Sequence, residues 1–249
     1  MSYFIWNDVS SEEFGILESL PLNLRAERIT QIIDIPNGMP IVYESKAFRS
    51  MQQVLNIGLR DTSDDNIMAM NRWLTGTGKL IFSNDPTRYY NAVCFGSLTG
   101  ERMVKQLGRM SVNFTVLPLR YALDNEWEDV TFANNEGWIH YDGTYEGEPT
   151  LKIHASGDID IQWASYGIKV RNVSDYCVID IPTRRVYDSH GNVILNETIG
   201  PIMNMVLRPG YYEKNTSTGK MELKSAATFI KLNSGNIQSV QIKKNRRWL

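Results

Sequence analysis

Cysteine is scarce in this chain of 249 residues, which contains only Cys94 and Cys177, each inside an apolar, strand-like segment. Two distant cysteines cannot build the dense disulfide framework that stabilises small secreted domains. A chain of this length can instead bury a full hydrophobic core, as one large domain or two smaller ones. We therefore expect both thiols to be reduced and buried.

Long hydrophobic runs are also missing. Residues 1–8 lack the basic and apolar regions of a secretory signal, and no later stretch approaches the roughly 20 apolar residues of a membrane-spanning helix. The sequence therefore predicts a protein that is made in the cytosol and does not insert into a membrane.

Charge of one sign does not dominate either. The chain has 26 basic and 28 acidic residues, a formal net charge of -2, so no overall field favours nucleic acid. The basic run 243–247 near the C-terminus is short, and we interpret it as a solvated end. No nucleic-acid partner is expected.

Residues for common catalytic chemistry are sparse. The three histidines, His140, His154 and His190, have no partner at metal-ligand spacing, and no Gly-x-Ser-x-Gly elbow occurs. Residues 76–79 (Gly-Thr-Gly-Lys) lack the earlier glycine and the following Ser or Thr of a phosphate loop, so we expect a helix-to-strand turn there. The sequence thus predicts no catalytic, cofactor-binding or metal-binding residue, and no enzyme.

Pairs of carboxylates in the sequence leave one alternative open, that of an enzyme that hydrolyses glycans. Besides Glu12 with Glu13 and Glu126 with Glu128, Asp158 and Asp160 would share one face of a strand, roughly 7 Å apart. Glycosidases hold two carboxyl groups roughly 5 to 10 Å apart, so a wall hydrolase remains a third hypothesis. Polar residues on the wetted face of a half-buried strand are the simpler interpretation.

The pattern of the first half is mainly that of strands, with one exception. Apolar residues alternate over 51–59 and 110–116, and Pro118 is expected to end the second of these strands. Between them, Ile67, Met70 and Leu74 have helical spacing, which predicts a helix over residues 63–74. Ser63 should cap its N-terminus, and Gly76 should form a left-handed C-terminal cap.

The second half shows strands separated by turns and no second helix, which predicts a β-sandwich. Strands are expected at 150–154, 158–163, 168–172, 176–181, 184–187, 193–195, 229–232 and 237–242. Residues 122–129 are the best candidate for a linker, which places the domains at 1–125 and 126–249. Residues 211–225 have the composition of a projecting loop.

Aromatic side chains are frequent in the second half. Trp138, Tyr141, Tyr145, Trp163 and Tyr166 could form a platform on which sugars stack. The same residue types dominate cores and interfaces, and their spacing does not separate the two uses, although core or interface is favoured.

Short motifs along nearly the whole chain carry a family resemblance. In the first half they are residues 6–11 before 14–16, the turn 35–38, the helix ending at 73–74, Leu80, residues 85–86 and 89–90, and 114–118 with Tyr121. In the second half they are residues 149–157, 179–180, 185–187, 208–210, 240–242 and 247–248. With these motifs the chain resembles the distal tail protein (Dit) family of siphophages that infect Gram-positive bacteria. It departs from the family in the turn at 37–40 and in the additional segment 211–225.

The resemblance implies an N-terminal, ring-forming β-sandwich with one helix and a protruding hairpin, followed by a galectin-like or carbohydrate-module-like sandwich. It also implies a hexameric hub that joins the tail tube to the tail tip or baseplate of the virion, with tail-associated or receptor-binding proteins as further partners. The alternative function is that of an adhesin that recognises cell-wall carbohydrate through the second domain.

Overall fold

The structure is a computed structural model that describes residues 2–20, 26–96, 98–104, 107–216 and 219–249; for Lys46, Arg102, Met103, Val104 and Leu107 it describes the backbone only. The chain divides into two compact units, the first reaching to Leu123 and including Leu249, the second covering Asp124–Trp248. Each unit has its own cluster of buried apolar side chains.

The first unit is built around an antiparallel sheet with the strand order β2-β1-β7-β8-β10-β6-β3, and β9 pairs with β10. A separate two-stranded sheet is formed by β4 and β5. The elements are β1 (Phe4–Trp6), β2 (Val9–Ser10), β3 (Gly15–Leu17), β4 (Arg28–Ile33), β5 (Ile41–Phe48), β6 (Met51–Leu59), α1 (Asp64–Trp73), β7 (Gly76–Phe82), β8 (Arg88–Cys94), β9 (Thr99–Val104) and β10 (Leu107–Ala122).

Helix α1 confirms the predicted helix and its N-cap. The Ser63 side chain accepts a hydrogen bond from the backbone N–H of Asn66, and Asp64 and Asp65 occupy the positive end of the helix dipole. Met70 is fully buried, and the Trp73 indole donates a hydrogen bond to the Trp6 carbonyl at 2.9 Å. The helix is therefore held by packing on the sheet, as a ten-residue helix requires.

Two expectations about the first unit are wrong. Residues 76–79 are not a turn, because Gly76 is the first residue of β7. Gly76 does have a positive φ, of 92°, but it is not the C-cap of the helix, since Leu74 occupies that position. Strand β10 also does not end at Pro118. Its register with β8 shifts between Val116 and Arg120, and at such an irregularity the missing N–H of proline interrupts no regular ladder.

The second unit contains a sheet with the strand order β12-β13-β21-β14-β15-β18; β11 pairs with β21, and β16 pairs with β14 and β17. The elements are β11 (Glu128–Asp129), β12 (Phe132–Ala133), β13 (Glu136–Tyr141), β14 (Thr150–Trp163), β15 (Tyr166–Val173), β16 (Tyr176–Asp180), β17 (Arg185–Tyr187), β18 (Thr198–Ile199), β19 (Tyr211–Lys214), β20 (Met221–Lys224), β21 (Ala226–Lys243) and β22 (Arg247–Trp248).

Two long strands, β14 and β21, replace four of the predicted short ones. Their register shifts between Ser156 and Asp160, and the φ angles of Gly157 (82°) and Gly235 (113°) are positive there. Such bulges bend a strand without ending it, so one curled sheet encloses the core of this unit. A strand over 193–195 is not formed; Leu195–Glu197 is a 3-10 helix.

The segment 211–225 differs from the expected loop. Its described residues form a hairpin in which β19 pairs only with β20, and Tyr211, Tyr212 and Met221 are exposed. Ser217 and Thr218, within the predicted loop, lie outside the described residues.

Candidate functional site

The β4–β5 hairpin is the most unusual surface of the first unit. Its strands and connecting turn expose eight large apolar side chains, each by 40% or more: Ile29, Ile32, Ile33, Ile35, Met39, Ile41, Val42 and Tyr43. Within the described chain, β4 and β5 pair only with each other. The surface therefore combines exposed apolar side chains with two unpaired strand edges.

Apolar side chains occupy both faces of this hairpin. Ile32 lies opposite Val42 and Ile33 lies opposite Ile41, and successive residues of a strand point to opposite faces. Consecutive apolar residues are typical of strands that are covered on both sides. A two-stranded hairpin in water is marginally stable, so its own pairing does not account for this pattern.

The base of the hairpin is polar, unlike its far end. Arg28 forms an ion pair with Glu44 at 3.1 Å, its guanidinium lies 5.5 Å from the centre of the Phe48 ring, and Arg49 pairs with Glu27 at 3.8 Å. The turn is closed by a hydrogen bond from the Gly38 N–H to the Ile35 carbonyl, with Asn37 at a φ of 61°. The charges near the base are thus paired, and the apolar residues continue to the tip, where Asp34 is an exposed carboxylate.

The predicted carboxylate pair has structural partners. Asp160 forms an ion pair with Lys169 at 3.1 Å and accepts a hydrogen bond from the Asn233 side chain. Asp158 is exposed and accepts a hydrogen bond from the Asn172 N–H at 3.0 Å. These contacts tie neighbouring strands together, which matches the simpler interpretation of the pair.

The histidines lie on separate elements. His140 is on β13, His154 is on β14 with its ring 5.4 Å from that of Tyr176, and His190 is in an exposed turn. Among the described residues, no group of three His, Cys, Asp or Glu side chains could hold a metal ion. Nor does any helix in the described ranges combine the length and apolarity needed to cross a membrane.

Both cysteines are free and buried, as predicted. Burial raises the pKa of the Cys177 thiol to about 12 and also raises the pKa of Cys94. The Cys94 thiol lies 3.2 Å from the Leu74 carbonyl, next to the end of α1. Both residues belong to the hydrophobic cores.

The predicted aromatic platform does not form as a group. Trp163 and Tyr141 are fully buried; the Trp163 indole donates to the Val206 carbonyl, and the Tyr141 hydroxyl donates to the Tyr145 carbonyl. Burial raises the pKa of Tyr141 to about 12. Tyr145 lies under the Arg247 guanidinium, at 5.6 Å. Core packing thus accounts for Trp163 and Tyr141, whereas Tyr145 is half-buried and Tyr166 is exposed.

Trp138 is the most exposed of the five, with 60% of its surface accessible to solvent. It lines a cleft of about 440 Å³, which we call the Trp138 cleft. The residues of this cleft are Trp138, Gln162, Ala164, Ser165, Arg208, Ala227, Thr228 and Phe229.

The basic run 243–247 is not a solvated end. Lys244 and Arg246 form ion pairs with Glu128 at 2.6 and 2.8 Å, Arg247 pairs with Glu148, and Lys243 lies over the Trp127 ring. Burial alone would raise the pKa of Glu128, but the hydrogen bonds and charges of Lys244 and Arg246 outweigh it and hold the pKa below its usual value. These contacts fix residues 127–128 of the predicted linker within the second unit.

Sequence reasoning missed the apolar hairpin as a surface, although a signal was present. The pairs Ile32-Ile33 and Ile41-Val42 break the alternation expected of a strand with one wetted face. The Trp138 cleft had no comparable signal, since its residues come from β13, β14, β21, the turn between β14 and β15, and the segment before β19.

Comparisons with known proteins give one informative result. No protein-family model matches this chain, and no curated protein sequence does. The crystal structure of the Dit protein of phage SPP1, described as a paradigm of the hub adsorption apparatus in phages that infect Gram-positive bacteria, matches with a TM-score of 0.75 at 13% sequence identity. The match covers 100% of both chains. The chain therefore has the Dit fold, as its motifs predicted.

Proposed function

We propose that this protein is a structural distal tail protein whose copies form a hexameric ring, the hub between the tail tube and the tail tip or baseplate. The observation that carries the proposal is the β4–β5 hairpin, which exposes apolar side chains on both faces in a chain with the Dit fold. Exposed apolar patches of this kind mark surfaces that bind another protein.

The partner that best suits the hairpin is a second copy of this chain. If the hairpin of each copy docks on a different surface of its neighbour, the contact is heterologous, and a rotation that closes produces a ring. Closure would also cover the free edges of β4 and β5, which would otherwise template aggregation. Two ion pairs already neutralise the charges near the hairpin's base, so burying the apolar end desolvates few charges; the exposed Asp34 carboxylate beside the turn must face solvent or a cation of the partner.

The remaining parts of the proposal follow from this role. The protein acts as a virion component of the tail tip, is assembled in the host cytoplasm, and contacts the tail-tube and tail-tip proteins. A structural hub needs no cofactor, and we propose that it is not an enzyme. In support, Asp158 and Asp160 already hold neighbouring strands together.

Gold-labelled antibody against the purified protein tests this placement on virions of the phage that encodes it. We expect label at the end of the tail distal to the capsid. Label confined to the capsid or to the tail shaft, or detected only in infected cells, would refute the proposed role.

The alternative function, carbohydrate binding by the second unit, has one observation in its favour, the exposed Trp138 in its cleft. Trp163 no longer supports it, because this residue is buried. A hub can also carry a binding site, so the two functions are compatible.

A further inference from the structure

The Trp138 cleft brings together an aromatic face and several polar groups. Trp138 on β13 lies directly opposite Phe229 on β21, with ring centroids 5.2 Å apart and planes tilted by 58°. This contact supports one part of the indole while 60% of the residue stays exposed. The aromatic surface is therefore held in place by its neighbour and still open to a ligand.

The next strand of the sheet contributes a fixed hydrogen-bond acceptor. The Gln162 side-chain N–H donates to the Ala164 carbonyl at 2.9 Å, which orients the amide and leaves its oxygen available. Ala164 and Ser165 form the two-residue turn between β14 and β15, and the Ala164 N–H donates to the Phe229 carbonyl at 2.8 Å. The exposed Ser165 hydroxyl thus lies on a turn that is anchored to the aromatic pair.

A cation completes the cleft. Arg208 is exposed, and its guanidinium has no ion-pair or hydrogen-bond partner within the described part of the chain. Its backbone N–H lies 3.5 Å from the buried Thr228 hydroxyl, which positions the residue beside β21. A free guanidinium is suited to a carboxylate or phosphate.

From these groups we propose that the Trp138 cleft binds a saccharide that carries an anionic substituent. The apolar C–H face of a pyranose ring would stack on Trp138, its hydroxyl groups would hydrogen-bond to Gln162 and Ser165, and its carboxylate or phosphate would pair with Arg208. An open cleft of about 440 Å³ lies within the range of roughly 300–1,000 Å³ that is usual for small-molecule sites. A purely apolar ligand would leave the polar groups unpaired, at a cost in affinity.

The β19–β20 hairpin lies next to this cleft along the chain. It begins three residues after Arg208, and β20 ends at Lys224, shortly before Ala227, Thr228 and Phe229. The segment that departs from the family pattern therefore rises from the two stretches that line the cleft.

Three related sugars test the proposal with the full-length protein: N-acetylmuramic acid, N-acetylglucosamine 6-phosphate and neutral N-acetylglucosamine. Binding is followed by saturation-transfer NMR and by quenching of tryptophan fluorescence. We expect at least one anionic sugar to bind several-fold more tightly than the neutral one. Preference for the first or the second identifies the anionic group as carboxylate or phosphate.

Substitutions then assign the contacts. Trp138→Ala should weaken binding at least about tenfold, as for a central aromatic anchor. Trp138→Phe keeps an aromatic partner for Phe229 and should weaken binding less. Arg208→Gln should reduce the affinity for the anionic sugar to that for the neutral one and leave the neutral one unchanged.

Matched controls are Phe95→Ala, an exposed aromatic residue of the first unit, and Arg171→Gln, an exposed arginine outside the cleft. Neither should alter binding. The proposal is overturned if none of the three sugars binds, if the neutral sugar binds as tightly as both anionic ones, or if a folded Trp138→Ala variant binds as the unmodified protein does. Should Trp138→Ala not fold, an unchanged preference for the anionic sugar in Arg208→Gln overturns it. Ring assembly is measured separately, so the failure of one proposal leaves the other standing.

Discussion

Replacing Ile32 and Val42 by threonine should break the assembly and leave the fold of the subunit intact. The two side chains face each other across the β4–β5 hairpin and are 65% and 58% exposed in the single chain. Threonine favours strands and resembles valine in shape, so the hairpin should persist. The change removes apolar surface only from the proposed contact between copies.

The magnitude follows from the exposed surface. Complete burial of an Ile or Val side chain contributes about 1.5–3 kcal/mol, so burying the exposed part of each should contribute roughly 1–2 kcal/mol. The double variant should therefore lose about 2–4 kcal/mol at each contact between neighbouring copies, which is roughly a 30- to 700-fold increase in Kd. Because a ring repeats the same contact around its axis, the loss should be evident in the distribution of oligomers.

The assay is sedimentation velocity over a range of protein concentrations. The matched control replaces Val193 and Ile199 of the second unit, which are 52% and 46% exposed, by threonine. We expect the control to sediment like the unmodified protein and the Ile32/Val42 variant to shift towards monomer, with both keeping the same far-ultraviolet circular dichroism. If the hairpin variant assembles as well as the control, the hairpin does not form the contact.

Three further predictions concern the subunit itself. Met70→Ala should lower the free energy of unfolding of the first unit by about 2–5 kcal/mol, because Met70 is fully buried. Met68→Ala, on the exposed side of α1, should change it by less than about 0.5 kcal/mol. Thermal unfolding followed by circular dichroism compares the two variants. Neither Cys94 nor Cys177 should react with a thiol reagent at pH 8 until denaturant is added, because both are buried and the pKa of each is raised; labelling of native protein faster than unfolding would contradict this. The pKa of Glu128 is lowered in the folded state, so its ion pairs stabilise the second unit at any pH above its unfolded pKa of about 4.3. This stabilisation is lost as the pH falls through the pKa of the folded state. Glu128→Gln should therefore lower the melting temperature at pH 7, and the difference in melting temperature between the variant and the unmodified protein should shrink towards pH 3.

The sequence predicted correctly those elements that depend on interactions between residues close together in the chain. Helix α1 was found from its spacing, from Ser63 as N-cap and from Asp64 and Asp65 at its start, all of which act within a few residues. The turn at Asn37 and Gly38 was found for the same reason. The Dit fold could be predicted because different short motifs of that family are distributed along nearly the whole chain.

The predictions that are wrong concern segments whose structure depends on residues far away in the sequence. Gly157 and Gly235 look like turn residues in the sequence, but each forms part of a bulge that only the partner strand reveals. The basic end looked solvated because its partners, Glu128 and Glu148, are about a hundred residues away in sequence. The Trp138 cleft could not be predicted from the sequence for the same reason, since no single segment contains all its residues.

The central claim is that copies of this chain close into a ring through the β4–β5 hairpin. Light scattering coupled to size exclusion, with negative-stain imaging of the same fractions, tests it most directly on the unmodified protein. The account predicts a closed ring with a mass of about 171 kDa, six times the 28.5 kDa of one chain. A species of 28.5 kDa that forms no ring at any concentration, with or without the tail-tube protein, would contradict it.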